Sequence, residues 1–264
     1  MTGDVPHGPY ETIKVGVDAR GVATVTLDRA DKHNAMNAAM IADLSDVAAR
    51  LGTDPLVHVV VLAARGRTFC AGGDLGWMRA QAGQDRATKI AEARTLADML
   101  AAWNALPKPV IARVQGPAYG GGIGLMAVSD IVVAVDGSRF GLTETRLGLI
   151  PATIGPFVVR RMGEGHARRV FLTAKPFDTA FALRAGLVSE VCAPDDLDAA
   201  IEAECAAALA CAPGAVAAAK ALCLSLGGDP VDAHIERTVE ALADRWETDE
   251  AGERIAAFFA RAGG

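Results

Sequence analysis

The sequence is poor in aromatic residues and lacks cysteine motifs. Phe, Trp and Tyr make up 5% of its 264 residues, so aromatic packing contributes little to the interior. The five cysteines have no Cys-x-x-Cys spacing, which argues against both a zinc site and a disulfide framework. We therefore predict reduced, mostly buried thiols and no metal site.

Positive charge and long apolar runs are also missing. The formal net charge is −6 and the 26 Lys and Arg residues are scattered, so no basic field exists for a phosphate backbone. No apolar run approaches the ~18 residues of a membrane span, and the first residues lack the pattern of a signal peptide. We expect a soluble cytoplasmic protein with neither nucleic acid nor a membrane as a partner.

Three common catalytic motifs are absent. The sequence contains no His-Glu-x-x-His, no Gly-x-Ser-x-Gly and no Gly-x-x-x-x-Gly-Lys-[Ser/Thr], and its five histidines are isolated. The sequence therefore lacks the usual motifs of zinc-dependent hydrolysis, of serine-nucleophile hydrolysis and of nucleoside-triphosphate chemistry.

The residues that are present predict an α/β protein. Hydrophobic residues make up 51% of the chain, and 53 of them are alanine, which favours helix. The alternating stretches 12–17 and 22–27 predict a hairpin, and the apolar runs 57–63, 109–114 and 131–135 predict buried strands separated by helices. This order indicates parallel pairing in an α/β core.

The last part of the chain is almost wholly helical by pattern. Proline residues punctuate the predicted helices 195–211, 214–226, 231–246 and 250–261. We therefore divide the chain into a core, residues 1–194, and a helical region, residues 195–264. About 70 residues hold too small a core of their own, so these helices should pack on the body, on another subunit, or on both.

Two glycine loops each follow an apolar strand and precede a helical stretch. The first is Phe69-Cys-Ala-Gly-Gly-Asp74 and the second is Gly116-Pro-Ala-Tyr-Gly-Gly-Gly122. Backbone N–H groups at such a junction are unsatisfied and lie at the positive end of the helix dipole, so two of them can converge on one oxygen. A single loop of this kind is more often only a tight turn.

The second loop also fits a dinucleotide fingerprint. Gly122-Ile-Gly-Leu-Met-Ala127 matches Gly-x-Gly-x-x-Ala, and Asp136 ends the next predicted strand. The predicted helix is only about two turns long, and Asp136 follows the glycines at a shorter distance than the fingerprint requires. A dinucleotide site therefore remains an alternative.

Glu144 stands in the mostly apolar segment Phe140–Pro151. General burial statistics favour a solvated glutamate, or one paired with Arg146, over a catalytic acid.

Four segments together resemble the enoyl-CoA hydratase/isomerase (crotonase) family. They are Leu27–Met36, Phe69–Leu75, Gln115–Leu125 and Phe140–Pro151, and their order and spacing agree along almost the whole chain. The resemblance implies a spiral of repeated β-β-α units with a C-terminal helical region that mediates trimerisation, often as a dimer of trimers. It also implies an acyl-CoA substrate, so that coenzyme A arrives with the substrate and no cofactor is permanently bound.

The resemblance implies the following site. The backbone N–H groups of Gly73 and Gly121 would hold the thioester oxygen, with Glu144 as the catalytic acid and base. CoA would contact His33, Ala35, Ala71, Gly72, Asp74 and Leu75, and Trp77 and Met78 would border the acyl pocket.

The chain departs from the family pattern at one catalytic position. Hydratases of this family typically carry a second glutamate where this sequence has Gly124. A single carboxylate suits either hydration of a 2-enoyl-CoA or isomerisation between 3-enoyl- and 2-enoyl-CoA, and loss of both activities would leave a CoA-ester binder. The segment Glu144–Val159 looks like the methylglutaconyl-CoA hydratase branch, which favours hydration of a branched or acidic enoyl group.

Overall fold

The computed structural model describes residues 10–228 and 232–262. Its strands are β1 (Ile13–Val17), β2 (Val22–Leu27), β3 (Val59–Ala64), β4 (Val110–Val114), β5 (Ala118–Tyr119), β6 (Ile131–Val135), β7 (Arg139–Gly141), β8 (Phe177–Asp178) and β9 (Glu190–Cys192). Its helices are α1 (Ala38–Thr53), α2 (Leu75–Ala82), α3 (Arg86–Ala105), α4 (Gly121–Val128), α5 (Gly155–Thr173), α6 (Thr179–Arg184), α7 (Leu197–Leu209), α8 (Pro213–Leu226), α9 (Asp232–Trp246) and α10 (Asp249–Ala262). Short 3₁₀ turns span Ala30–Lys32, Glu144–Leu147 and Pro194–Asp196.

Six strands form the main sheet in the order β1-β2-β3-β4-β6-β9. The predicted hairpin is confirmed, because β1 pairs antiparallel with β2 from Ile13 opposite Leu27 to Val17 opposite Ala23. Every other neighbouring pair is parallel, as the alternation of strands and helices predicts. The carboxyl ends of β3 and β4 therefore lie at one edge, and both glycine loops begin there.

A second, three-stranded sheet joins β5, β7 and β8. The sequence analysis did not predict it, since strands of two or three residues are too short to carry an alternating pattern. This sheet connects the second glycine loop to the segment that contains Glu144, because Ala118 pairs with Phe140 and Tyr119 with Gly141.

Apolar side chains cover both faces of the main sheet. All six residues of β3 are buried, which explains its continuous apolar run. The first face packs on a large cluster that includes Trp103 of α3, whose indole N–H donates to the carbonyl of Leu44 in α1 at 3.0 Å. The second face packs on Leu197, Ile201 and Cys205 of α7.

The C-terminal helices pack on the body of the same chain, as expected. Besides α7 on the sheet, α9 packs against α3 through Ile235 and Val239, and α10 packs against Leu149 through Ala251 and Ile255. The division at residue 194 stays a prediction.

Within the described ranges, no single helix is both long and apolar enough to cross a membrane. One pair of helices, Pro194–Leu209 and Pro213–Leu226, passes by length and composition when taken together, with a bend of 102° between them.

Helix α8, whose residues are all described, buries none of its side chains fully. It is fastened to the sheet by Lys220, whose Nζ donates to Asp130 Oδ2 at 2.7 Å and to the carbonyl of Lys108 at 3.2 Å. Asp130 Oδ2 also accepts the N–H of Val110 at the start of β4. Lys220 thus joins α8 to two neighbouring strands.

We predict that Lys220→Met lowers the free energy of unfolding by about 2 kcal/mol, because a partly buried carboxylate and a carbonyl lose their charged donor. Urea denaturation measures the change. Lys175→Met removes an exposed lysine and serves as the control. Equal stability of the two variants would contradict this role of Lys220.

Candidate active site

The two glycine loops lie against each other at the edge of the main sheet. Cys70 and Ala118 form a parallel bridge, and the Tyr119 N–H donates to the carbonyl of Cys70 at 2.9 Å. The Phe69 N–H donates to the carbonyl of Pro117 at 3.0 Å. These backbone bonds set the distance between the loops, as the sequence analysis expected from their placement after successive strands.

Glycine is required where the loops approach each other and the carboxylate. Gly72 has φ +88° and Gly120 has φ +47°, both in the region that favours glycine. A Cβ on Gly120 would lie 3.2 Å from Glu144 Oε1, and a Cβ on Gly72 would lie 3.1 Å from the carbonyl oxygen of Tyr119. Side chains here would push the loops apart.

The N–H groups of Gly73 and Gly121 have no hydrogen-bond acceptor among the described residues. The loop at Gly73 is held on both sides by Met36, whose N–H donates to Gly72 O at 2.7 Å and whose carbonyl accepts the Asp74 N–H at 2.8 Å. Gly121 is the first residue of α4, so its N–H lies at the positive end of that helix. Each such donor can stabilise a developing oxyanion by about 3 kcal/mol.

Arg29 supports the first loop, and the sequence analysis gave it no role. Its guanidinium donates to the carbonyl of Ala35 at 2.5 Å and to Asp74 Oδ2 at 3.1 Å. Asp74 Oδ1 in turn accepts the N–H groups of Gly76 and Trp77 at the start of α2. Arg29 and these N–H groups hold the pKa of Asp74 below its usual value, although burial acts the other way. A lone arginine in a loop carries no sequence signal for such a role.

Glu144 is the first residue of a 3₁₀ turn and is partly buried. Its Oε2 atom is buried without any hydrogen-bond partner among the described residues. Burial raises the pKa of Glu144 to about 7. Of the two alternatives to a catalytic role, pairing with Arg146 is absent: Arg146 is exposed, and no ion pair joins it to Glu144 in the described part of the chain.

The C-terminal helices hold the turn that carries Glu144. Arg245 of α9 donates from Nε to the carbonyl of Gly148 at 2.8 Å. Gly148 has φ +76°, and a Cβ there would lie 2.8 Å from the Cα of Ala251 in α10. The helical region therefore fixes the position of the carboxylate from within the same chain.

The loops and Glu144 open into a cavity of about 610 Å³. Among the residues predicted to contact CoA, Ala71, Gly72 and Leu75 line it, whereas His33, Ala35 and Asp74 do not. Trp77 and Met78 line it as expected.

Two of the predicted CoA contacts outside this lining have structural partners. His33 accepts the Ala71 N–H on its carbonyl at 3.0 Å and places Nδ1 3.0 Å from Thr68 Oγ1. Asp74 caps α2, as described above. The CoA contacts of all six residues stay predictions.

The structure leaves no space for the pyrophosphate of a dinucleotide at the second glycine loop. Gly124, the second glycine of the fingerprint and the one that a pyrophosphate would approach, is buried against Ile154, so a pyrophosphate cannot reach it. Asp136 Oδ1 already accepts hydrogen bonds from Thr179 Oγ1 and from the Gly137 N–H, both at 2.8 Å.

Apolar side chains fill the space next to Gly124. A Cβ on Gly124 would lie 2.7 Å from Ile154 Cγ2 and 3.3 Å from Leu100 Cδ1. A second carboxylate at this position would therefore collide with Ile154, and Glu144 is the one acidic residue among the described residues that line the cavity.

We predict a pH dependence of stability that Glu144 controls. Its pKa is about 7 in the folded chain against an ordinary glutamate pKa of 4.5, so the folded state binds more protons between these values and loses stability as the pH rises through them. Glu144→Gln should therefore gain stability relative to wild type, by up to about 3 kcal/mol between pH 4.5 and 7.5. Urea denaturation across this range measures the difference, and a constant offset between the two proteins would contradict the prediction.

Comparison with known proteins identifies the family. The family model described as enoyl-CoA hydratase/isomerase matches residues 18–259. The enoyl-CoA hydratase ACTT6 of Alternaria alternata is 39% identical over 155 residues, which are 59% of this chain and 50% of that protein. The match therefore spans about half the length of that curated relative.

Two further relatives match over more of their length. A probable enoyl-CoA hydratase of Mycobacterium tuberculosis is 35% identical over 192 residues, 71% of each chain. The crystal structure of an enoyl-CoA hydratase from Shewanella pealeana superposes with a TM-score of 0.80 at 38% identity, covering 95% of this chain and 94% of that one. The chain therefore has the crotonase fold and belongs to the enoyl-CoA hydratase/isomerase family.

Proposed function

We propose that this protein reversibly hydrates a 2-enoyl-CoA thioester to a 3-hydroxyacyl-CoA. The observation that carries the proposal is the buried, unpartnered Oε2 of Glu144 beside two glycine loops with unused N–H groups. The hydratase names of the family relatives support the same reaction.

The mechanism needs only one carboxylate. Ionised Glu144 takes a proton from water while the water oxygen bonds to C3, and the electrons of the C2–C3 double bond move onto the thioester oxygen. The N–H groups of Gly73 and Gly121 stabilise this enolate. Protonated Glu144 then returns its proton to C2, so that one water molecule is added in total. A pKa of about 7 suits both steps near neutral pH.

Isomerisation is the second candidate, and the apolar surroundings of Gly124 favour it. With Ile154 where a second carboxylate would lie, Glu144 is the one carboxylate in the described lining that can hold a water molecule. In isomerisation, Glu144 would take a proton from C2 of a 3-enoyl-CoA and return it to C4. The third candidate is a protein that binds CoA esters without catalysing a reaction.

The acyl group we propose is of the methylglutaconyl type, which the segment Glu144–Val159 resembles. A cavity of about 610 Å³ accommodates a branched acyl group of this size. CoA enters as part of the substrate, and we propose that its adenine and pantetheine portions lie along the backbone at 33–35 and 71–75.

We predict that Glu144→Gln lowers kcat at least a hundredfold, because the amide can neither take nor return a proton, while binding of the CoA ester persists. The absorbance of the conjugated enoyl thioester measures turnover across a panel from crotonyl-CoA to 3-methylglutaconyl-CoA. Glu164→Gln, an exposed glutamate on α5, is the matched control.

Three outcomes separate the candidates. A fall in absorbance that depends on Glu144 supports hydration. No change with 2-enoyl-CoA and a rise with 3-enoyl-CoA indicate isomerisation. Near-normal turnover in Glu144→Gln removes Glu144 from the mechanism.

We also propose that the chain forms a trimer, alone or paired into a hexamer, through its helical region. Helix α8 exposes Leu222 and Leu226, at 58% and 76%, which is typical of a face that another subunit covers.

Light scattering should then give three or six times the chain mass of 27.3 kDa. Leu226→Glu should lower the mass toward the monomer, because it places a charge in the apolar contact. Leu56→Glu alters an equally exposed leucine outside the helical region and should leave the assembly intact. A monomeric wild type would contradict the proposal.

A further inference from the structure

The cavity beyond Glu144 contains a buried cation. Lys89, near the start of α3, lines this cavity and is the one charged residue among the buried residues of the described chain, with 7% exposure. Its surroundings in the lining include the apolar side chains of Ala93, Leu96 and Leu242. A lysine ammonium is seldom placed in such surroundings without a specific partner.

The partner that Lys89 has in the structure uses only part of its donor capacity. Its Nζ donates to Glu247 Oε1 at 2.6 Å and lies 5.9 Å from the centroid of the Trp246 ring. An ammonium has three N–H donors, and no second hydrogen bond from this Nζ is present among the described residues. Glu247 is about half exposed and does not line the cavity, whereas Lys89 does.

A second unused donor lines the same cavity. Trp77 lines the cavity, and its Nε1 atom is buried without a hydrogen-bond partner in the described part of the chain. A buried indole N–H normally has an acceptor. Both Lys89 and Trp77 therefore have N–H groups that can donate hydrogen bonds to a ligand, and neither side chain can accept one.

Holding α3 to α9 does not require a buried lysine. Arg94 of α3 pairs with Glu236 of α9, and Arg86 pairs with Glu240 and Asp244. None of these arginines lines the cavity, so Lys89 differs from the other cations of this helix by its place in the cavity wall.

Apart from Glu144, the charged residues in the described lining of the cavity are all cations, so no other lining carboxylate competes for Lys89. Apart from Glu144 the lining has no acidic residue, whereas it includes the exposed Arg146, Arg254 and Arg261. Two other carboxylates near Lys89 lie outside the lining: Glu92 accepts hydrogen bonds from the side-chain amides of Gln81 and Gln84, and Asp85 caps α3 by accepting the Thr88 N–H.

We infer that Lys89 and Trp77 form a binding subsite for a carboxylate at the far end of the acyl group. This inference rests on the proposed function and names the residues that would recognise the distal carboxylate: through them, an enoyl-CoA whose acyl chain ends in a carboxylate is favoured over a neutral one of similar length. The low exposure of Lys89 and the apolar side chains in the lining strengthen the contact between the ammonium and the carboxylate.

The test compares glutaconyl-CoA with 2-hexenoyl-CoA, in which an ethyl group replaces the distal carboxylate. Wild type should have the higher kcat/KM with glutaconyl-CoA. Lys89→Met should lower kcat/KM for glutaconyl-CoA roughly ten- to a hundredfold, as expected for the loss of a charged hydrogen bond, and leave that for 2-hexenoyl-CoA nearly unchanged. Trp77→Phe should also lower the ratio of kcat/KM for glutaconyl-CoA to kcat/KM for 2-hexenoyl-CoA, by a smaller factor.

Arg94→Met is the matched control, because it removes an ion pair between the same two helices without touching the cavity. It should leave the ratio of the two substrates as in wild type. If Lys89→Met fails to fold, Glu247→Gln gives an independent reading: it removes the carboxylate that competes for Lys89 and should raise the preference for glutaconyl-CoA.

The inference is overturned if wild type does not prefer glutaconyl-CoA, if Lys89→Met slows both substrates equally, or if Glu247→Gln leaves the ratio unchanged. Those results would leave hydration itself intact, because 2-hexenoyl-CoA reports on it separately. Absence of hydration with either substrate would instead contradict the proposed function.

Discussion

The two glycine loops touch through their backbones because neither carries a Cβ at the point of contact. A Cβ on Gly72 would lie 3.6 Å from the Cα of Gly120, in addition to its close approach to Tyr119. This contact brings the unused N–H groups of Gly73 and Gly121 to the same cavity as Glu144, and a substitution at either position would leave the backbone N–H in place. The parallel sheet, the bridge between Cys70 and Ala118 and the bonds around Met36 all maintain it.

The carboxylate beside these loops is held in surroundings that disfavour its charge. Burial raises the pKa of Glu144 to about 7, so the ionised form destabilises the folded chain above that pH. The chain offsets this by packing α9 and α10 around the turn that carries Glu144, through Arg245 and through the close approach of Ala251 to Gly148. The helical region thus contributes to the site as well as to the core, and a proton acceptor near neutral pH results.

Much of this arrangement could be predicted from the sequence. The hairpin, the parallel strands and the glycine loops have local patterns, and the resemblance of four segments pointed to the family that the comparisons confirm. The small sheet and the support that Arg29 gives to Asp74 could not be predicted, because they join residues far apart in the chain without a periodic pattern. The burial of Lys89 could not be predicted for a related reason, because it depends on α9 packing across α3. Whether Glu144 pairs with Arg146 could not be decided from the sequence, because proximity in sequence does not determine which way a turn directs two side chains.

The most direct test of the proposed hydration by one carboxylate measures the incorporation of oxygen from water into the product. Wild type and Glu144→Gln are incubated with crotonyl-CoA in water enriched in ¹⁸O, and the products are weighed by mass spectrometry. The account predicts that wild type forms 3-hydroxybutyryl-CoA with one ¹⁸O at C3 and that the variant forms almost none in the same time. Incorporation at equal rates in both proteins, or no ¹⁸O at C3 with wild type, would contradict it.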